Sequence, residues 1–282
     1  MIAITGATGQ LGALAVEALL KTVPAHDIVA IVRNPAKAEA LTQKGVVVRQ
    51  GDYNDEAALT AALAGVDKLL LVSSSEVGQR TAQHRNVINA ARAAGVKFIA
   101  YTSLLHADKS PLGLHVEHVE TEKLLAESGI PFALLRNGWY SENYLASAPA
   151  ALAHGVFIGA AGEGKIASAT RADYAAAAAR VVSEDGHAGK VYELAGDNAW
   201  TLSELAAELS KQSGKTVVYQ NLSEADFAAA LKGVGLPEAF ANLLADSDTG
   251  ASKGGLFDDS HTLSKLIGRP TTPLAESVKG IL

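Results

Sequence analysis

The sequence predicts an α/β fold, doubly wound around a parallel sheet, and three observations predict it. Short strand-like runs alternate with helical patterns through the first half of the chain. Two of those runs, IVAIV at 28–32 and KLLLV at 68–72, are apolar without alternation, as strands are when helices cover both faces. Hydrophobic residues make up 48% of the 282 positions and aromatics only 5%, with alanine prominent, which favours helix-rich architecture over an all-β sandwich.

The elements follow in order. Ile2 to Thr5 reads as a strand and Gln10 to Lys21 as a helix; Ile28 to Arg33 as a strand and Pro35 to Gln43 as a helix, with proline early, where a missing N–H costs nothing. Val46 to Gln50 is a strand, Asp55 to Ala64 a helix, Lys68 to Val72 a strand and Gln79 to Ala94 a helix. Lys97 to Thr102 is a strand, His115 to Ser128 a helix and Phe132 to Arg136 a sixth strand. Gly95 and Gly129 close two helices at positions that want φ > 0. Six strands suit the Rossmann order 3-2-1-4-5-6. Beyond about Asn143 the rhythm changes. Gly155, Gly159, Gly162 and Gly164 mark loops, Arg171 to Ser183 is an alanine-rich helix, and Lys190 to Leu194 is a strand. Thr201-Leu-Ser-Glu204 is a capping box that opens a helix to Lys211. Thr216 to Gln220 is a strand, Ser223 opens another helix, and the tail from Asp258 is helical with a break at Pro270 and Pro273. The expected organisation is a Rossmann domain over 1–142 and a smaller α/β lobe over 143–282 that does not fold independently.

Composition narrows the function. The chain has no cysteine, which removes disulfides, cysteine-ligated metals and cysteine nucleophiles. No group of residues suggests a metal site. Net charge is −6 and the 24 Lys and Arg are scattered, so a nucleic-acid partner is not expected. The N-terminus lacks a basic leader and apolar h-region, and no run is long enough to span a membrane. A cytoplasmic location is the expectation. The sequence does not set the number of subunits, a homodimer being one assembly open to it.

The chemistry-bearing motif is Thr5-Gly-Ala-Thr-Gly-Gln-Leu-Gly12, between the first strand and the first helix. A pyrophosphate needs backbone N–H donors at a helix N-terminus and no side chains in its way. Gly6 permits the turn, Gly9 the approach of the phosphate, and Gly12 the packing of helix on strand. Gly6, Ala7, Thr8, Gly9, Gln10 and Leu11 are therefore candidate dinucleotide contacts. The motif lacks the Lys-Ser/Thr of a Walker loop. About twenty residues further on, where an NAD site places Asp or Glu, stands Arg33. A guanidinium binds a 2′-phosphate that a carboxylate would repel, so NADP(H) is the expected cofactor; a solvated strand-end arginine is the alternative. Lys37 offers a second charge. Asp52 either accepts from the adenine amino group or caps the next helix. Ser73, Ser74 and Ser75 leave the fourth strand at the same sheet edge and suit the ribose and pyrophosphate, unless they form an ordinary polar loop. Asn137, Gly138, Trp139, Tyr140, Ser141 and Glu142 leave the sixth strand where open α/β sheets bind ligands. Asn137 suits the nicotinamide ribose or carboxamide, and Trp139 and Tyr140 either form a flat wall for an aromatic acceptor or bury a seam.

Taken together, TGATGQLG, the arginine after the second strand and LLRNGWYSENY after the sixth resemble the NmrA-like branch of the atypical short-chain dehydrogenases. The chain is most similar to its quinone reductases, with triphenylmethane reductase as a near relative. The likeness includes IVAIVRNPAKA, NVINAARAAGVKFIAYTS and SENYLASAPAAL. It implies an NADPH-dependent reductase of quinones with no bound flavin and direct two-electron hydride transfer. The wider superfamily uses a Tyr-x-x-x-Lys pair on the helix after the fifth strand; aligned on Ser-Gly-Ile-Pro downstream, those positions are Leu114 and His118 here. The pair is absent, the proton donor is unassigned, and His118 is a weak candidate. A quinone is a strong hydride acceptor and needs little acid help, so water can supply the proton. Two other readings stand beside this one: an NADP-binding redox sensor without turnover, and a reductase of another conjugated acceptor.

Overall fold

The computed structural model describes residues 1–282. In chain order its elements are β1 (Ile2–Thr5), α1 (Gln10–Leu19), β2 (Ile28–Val32), α2 (Glu39–Gln43), β3 (Val47–Gln50), α3 (Glu56–Ala62), β4 (Lys68–Leu71), α4 (Arg80–Ala93), β5 (Phe98–Leu104), α5 (His115–Glu127) and β6 (Phe132–Asn137). There follow α6 (Ser141–Leu145), α7 (Ala148–His154), β7 (Val156–Gly159), α8 (Arg171–Ser183), β8 (Val191–Leu194), α9 (Leu202–Ser213), β9 (Val218–Asn221), α10 (Glu224–Gly233), α11 (Glu238–Ser252), α12 (Thr262–Ile267) and α13 (Leu274–Lys279). The main sheet has seven strands in the order β3-β2-β1-β4-β5-β6-β8. The expected six-strand order is present, and β8 extends it. Ladders run parallel, with Ile2 opposite Ile28 on one side and Lys68 on the other. No helix is long and apolar enough to cross a membrane.

The chain divides into two compact units: Met1–Leu104 with Val116–Asn137 and Arg171–Tyr192, and Leu105–His115 with Gly138–Thr170 and Glu193–Leu282. A single boundary after residue 142 is therefore not how the chain divides. The reason lies in α8. In the first unit it packs against α1 and against β4, β5 and β6, completing a helical layer that α1 cannot make alone. Its alanines Ala175, Ala177, Ala178 and Ala179 are buried there. On the other face, Ala3, Val29, Ile31, Leu69, Leu71, Ile99 and Tyr101 meet Leu59 of α3, Leu63 just past its end, Val87 and Ile88 of α4 and Leu125 of α5. Alternate strand residues supply that face, and their neighbours supply the other, because side chains alternate along a strand.

Local chemistry explains the boundaries. Asp55 caps α3 by accepting from Ala58 N–H at 2.9 Å. Gly95 and Gly129 have φ of +77° and +75°, as their helix-ending positions require. The segment read as one helix over 35–43 is a 3₁₀ turn at Pro35–Ala38 followed by α2. Asn34 Oδ1 accepts from Ala36 N–H and tightens that first turn. In the second unit the capping box forms: Thr201 Oγ1 accepts from Glu204 N–H, and Thr201 N–H donates to Glu204 Oε2. β7 and β9 make a separate two-stranded parallel sheet, and α10 packs on α11 around Phe227, Ala228 and Ala245. A buried carboxyl, Asp248, accepts from Tyr144 Oη–H and Ala160 N–H, each at 2.8 Å.

Candidate dinucleotide site

β1, β2 and β4 lie side by side, so the segments leaving their carboxyl ends share one edge of the first unit. The glycine loop leaves β1. Gly6 has φ +59°, and its carbonyl accepts from Gly9 N–H at 2.9 Å. A Cβ on Gly12 would stand 2.2 Å from the Gly6 carbonyl oxygen, so α1 packs on the loop at backbone distance. Gly9 is the N-cap of α1 and no side chain caps the helix. The first turn, Gln10 and Leu11 with Gly12, thus presents backbone donors at the positive end of the helix dipole. Beneath the loop, the Tyr53 hydroxyl lies 2.7 Å from Thr5 Oγ1 and 2.5 Å from the Val72 carbonyl oxygen, tying β1 to the end of β4. Burial raises the pKa of that phenol, so it works as a neutral strut.

Arg33 follows β2 with a side chain 71% exposed, and its Nη1 lies 3.3 Å from Glu76 Oε1. Asp52 does not cap the next helix. Its Oδ1 accepts from Asn54 N–H, and Asp55 does the capping.

The serine segment after β4 is pinned chiefly at Ser73 and Ser74. Ser73 N–H donates to Thr102 Oγ1 at 2.8 Å. Ser74 N–H donates to His84 Nε2 at 2.9 Å, the Ser74 carbonyl accepts from Arg80 Nε at 2.5 Å, and Ser74 Oγ accepts from Glu76 N–H at 3.1 Å. Because His84 Nε2 accepts a backbone N–H, its proton sits on Nδ1, which faces Thr121 Oγ1 at 2.9 Å. Burial, then the charge of Arg80, pushes the His84 pKa down to about 3.

His118 belongs to the same network. It is buried, with Nε2 3.2 Å from Arg80 Nη1 and Nδ1 2.7 Å from the Tyr101 hydroxyl. A guanidinium only donates, so Nε2 accepts and Nδ1 carries the proton. Burial, then Arg80 and His84, holds its pKa well below the usual value. One turn further along α5, Glu122 receives Arg136 Nε and Nη2 at 3.0 and 2.8 Å and Ser103 Oγ–H at 2.6 Å, a bidentate pair that is nearly buried.

Asn137 ends β6 and is buried, and its Oδ1 has no hydrogen-bond partner. A buried acceptor with nothing to accept from is costly unless a ligand donor completes it. The rest of that segment lies in the second unit. Gly138 N–H donates to the Leu194 carbonyl at 2.7 Å, Trp139 is buried, and Tyr140 pairs with Ala169 as an isolated bridge. Ser141 N–H donates to the Ala169 carbonyl, its Oγ meets Ser168 Oγ at 2.8 Å, and Ser141 and Glu142 form the first turn of α6.

These residues fit a phosphorylated dinucleotide: an uncapped helix start for the pyrophosphate, an exposed guanidinium one strand away, and an orphaned amide oxygen two strands beyond β4. Supporting residues were not legible in the sequence. Tyr53, Arg80 and His84 reach the site from helices and turns, and no local pattern marks them. Glu76 carried one faint signal, its place directly after Ser75.

The model of the NmrA-like family matches residues 1–274. Quinone oxidoreductase 2 of Escherichia coli is 81% identical over 99% of this chain and 97% of its own length. An Escherichia coli NADPH-dependent quinone oxidoreductase crystallised with NADPH superposes with a TM-score of 0.98 at 80% identity, covering 100% of this chain and 99% of that one. Triphenylmethane reductase of Citrobacter sp., crystallised with NADP(H), superposes at 0.96 with 44% identity over 100% of both chains. NAD(P)H azoreductase of Xenophilus azovorans is 32% identical over 99% of this chain and 97% of its own.

Proposed function

The chain belongs to the NmrA-like family, and from that premise we propose that it is an NADPH-dependent quinone oxidoreductase. The observation that carries the reading is the 81% identity to a quinone oxidoreductase, which spans 99% of the chain and so includes every candidate cofactor residue. The geometry supplies the matching parts. Gly6, Ala7, Thr8, Gly9, Gln10 and Leu11 would line the pyrophosphate, with Thr8, Gln10 and Leu11 N–H as its donors, since Ala7 N–H is given to the Ile31 carbonyl and Gly9 N–H to that of Gly6; Arg33 would take the 2′-phosphate, and the Ser73–Ser75 segment the neighbouring ribose. Asn137 would offer its unpaired oxygen to the nicotinamide carboxamide or ribose. Bound NADPH supplies the hydride. The residues' task is to hold donor and acceptor in register and keep the site dry.

No general acid replaces the missing Tyr/Lys pair. His118 cannot serve as one while Arg80 occupies Nε2 and Tyr101 occupies Nδ1. We assign it a positioning role: it holds Arg80, and Arg80 holds the Ser74 carbonyl. Water delivers the proton to the reduced quinone, whose oxygen is far less basic than an alkoxide. Transfer is a single two-electron step without flavin. A cytoplasmic location and a homodimer go with this reading, the latter to be read from the mass in solution.

The test is consumption of NADPH, followed by absorbance, by purified flavin-free protein with a panel of quinones. Saturable turnover is the expected result. Tight NADPH binding without turnover on any quinone would overturn it and favour a dinucleotide sensor. A second reading, reduction of another conjugated acceptor, draws on the likeness to the triphenylmethane dye reductase and the azoreductase. Faster turnover of a cationic or azo dye than of any quinone selects it.

A further inference from the structure

Glu76 stands where an NADPH site has no evident use for a carboxylate. Its Oε1 lies 3.3 Å from Arg33 Nη1, the guanidinium assigned to the 2′-phosphate. Nor is it a loose surface acid. Its backbone N–H donates to Ser74 Oγ at 3.1 Å, and its Oε2 accepts from Gln83 Nε2 at 2.9 Å. Gln83 is 2% exposed, so the anchor is fixed from below by a buried side chain on α4. The Gln83 amide also faces Asn54 Oδ1 at 3.4 Å, and its own Oε1 has no partner. The amide has given up satisfaction at one end to hold Glu76 at the other. Arg33 is thereby neutralised before any ligand arrives.

We propose that Glu76, held by Gln83, is a specificity-determining residue that lowers the preference for NADPH over NADH by competing with the 2′-phosphate for Arg33. The inference rests on Arg33 being the 2′-phosphate ligand. A phosphate monoester carries about two negative charges near neutral pH. To reach Arg33 Nη1 it must displace the carboxylate or lie beside it, and both cost affinity. NADH brings a ribose hydroxyl instead, which can donate to a carboxylate, as the acidic residue does in NAD sites. Lys37, the second charge near the 2′-phosphate, is the same in wild type and variants, so a change in the ratio on replacing Glu76 reports on this pair. Arg33 favours the phosphate and Glu76 restrains it.

The experiment is direct binding of NADPH and of NADH, by titration calorimetry, to the wild type and to Glu76→Gln, Glu76→Ala and Arg33→Ala. Both Glu76 variants should bind NADPH roughly two- to five-fold more tightly, the range an exposed ion pair can supply, and NADH no more tightly than wild type. Glu76→Ala guards against a new hydrogen bond from the introduced amide. If the NADPH to NADH affinity ratio is unchanged or falls in both variants while Arg33→Ala selectively weakens NADPH, the role of Glu76 is refuted and that of Arg33 stands. If Arg33→Ala leaves the ratio unchanged, the assignment of Arg33 fails and this inference with it.

Discussion

Acidification from pH 7 to pH 5 should destabilise this protein more than its carboxylates would suggest, through two buried neutral histidines. His84 takes a backbone N–H on Nε2, and His118 takes a guanidinium N–H on the same atom. A proton added to either nitrogen would point at another donor, so both rings resist it. The unfolded chain has no such objection and protonates histidine near 6.5, whereas the folded His84 waits until about 3. Between those values the unfolded state binds the extra proton and stability falls as pH falls, by about 1.4 kcal/mol per pH unit for each such group. The fall ends only where the fold itself accepts the proton. From pH 7 to 5 the loss is about 2 kcal/mol for His84, and His118, held well below its usual value, adds to it in the same direction. Even the His84 share is a sizeable part of the roughly 5–15 kcal/mol typical of a folded chain. Asp248 works in the opposite sense, since burial raises its pKa and the fold binds its proton before the unfolded chain does. That gain begins as pH falls through the raised folded value and is complete below the usual 3.8. The assay is urea unfolding at several pH values, followed by the fluorescence of Trp139 and Trp200, both buried. His118→Gln keeps an acceptor for Arg80 and a donor for Tyr101 without titrating, and should make the loss smaller. A stability that is flat from pH 7 to 5, or a slope the variant leaves unchanged, would refute the reasoning.

Three further outcomes follow from contacts described above. Gly12→Ala places a methyl 2.2 Å from the Gly6 carbonyl oxygen and must move α1 away from the loop; a loss of about 1–3 kcal/mol in urea unfolding and a many-fold weaker NADPH complex are expected. Glu122→Ala removes the bidentate carboxylate from Arg136 in a site where both side chains are only about a tenth exposed, and should cost about 1.5–3 kcal/mol, whereas loss of under 1 kcal/mol would mean that water already reaches the pair. Aerobic turnover with a quinone should produce no stoichiometric superoxide, because the electrons leave as a pair; superoxide equal to the NADPH consumed would disprove hydride transfer.

The order of the sheet was legible because its signals are local and repeated. Apolar runs without alternation, Gly95 and Gly129, and the capping box at Thr201 each act within a few residues. The glycine loop was legible for the same reason: backbone approach needs glycine at fixed spacing. Long-range pairing hid the rest. β8 reads as a strand in isolation, but nothing near Val191 says that it joins β6. Helix α11, Glu238–Ser252, and the short α7 went unread, since their buried faces are largely alanine, serine and glycine, which carry weak periodicity, and α6 is too short, at five residues, to show a period. The roles of His84 and His118 could not be read at all. A histidine in a sequence looks titratable, and only the donors placed against Nε2 reveal that it is not.

The return of α8 to the first unit has a consequence for synthesis on the ribosome. Residues 1 to 137 encode six of the seven strands and the whole α3–α4–α5 face, yet the opposite face has only α1 to cover it until residues 171–183 are made. In between, the chain must emit residues 138–170, which belong to the other unit. The nascent sheet therefore waits, with one side partly bare, while unrelated sequence leaves the tunnel. Pausing within that interval would prolong exposure of Ile4 and Leu70, and it is the window in which a chaperone for this chain has most to do.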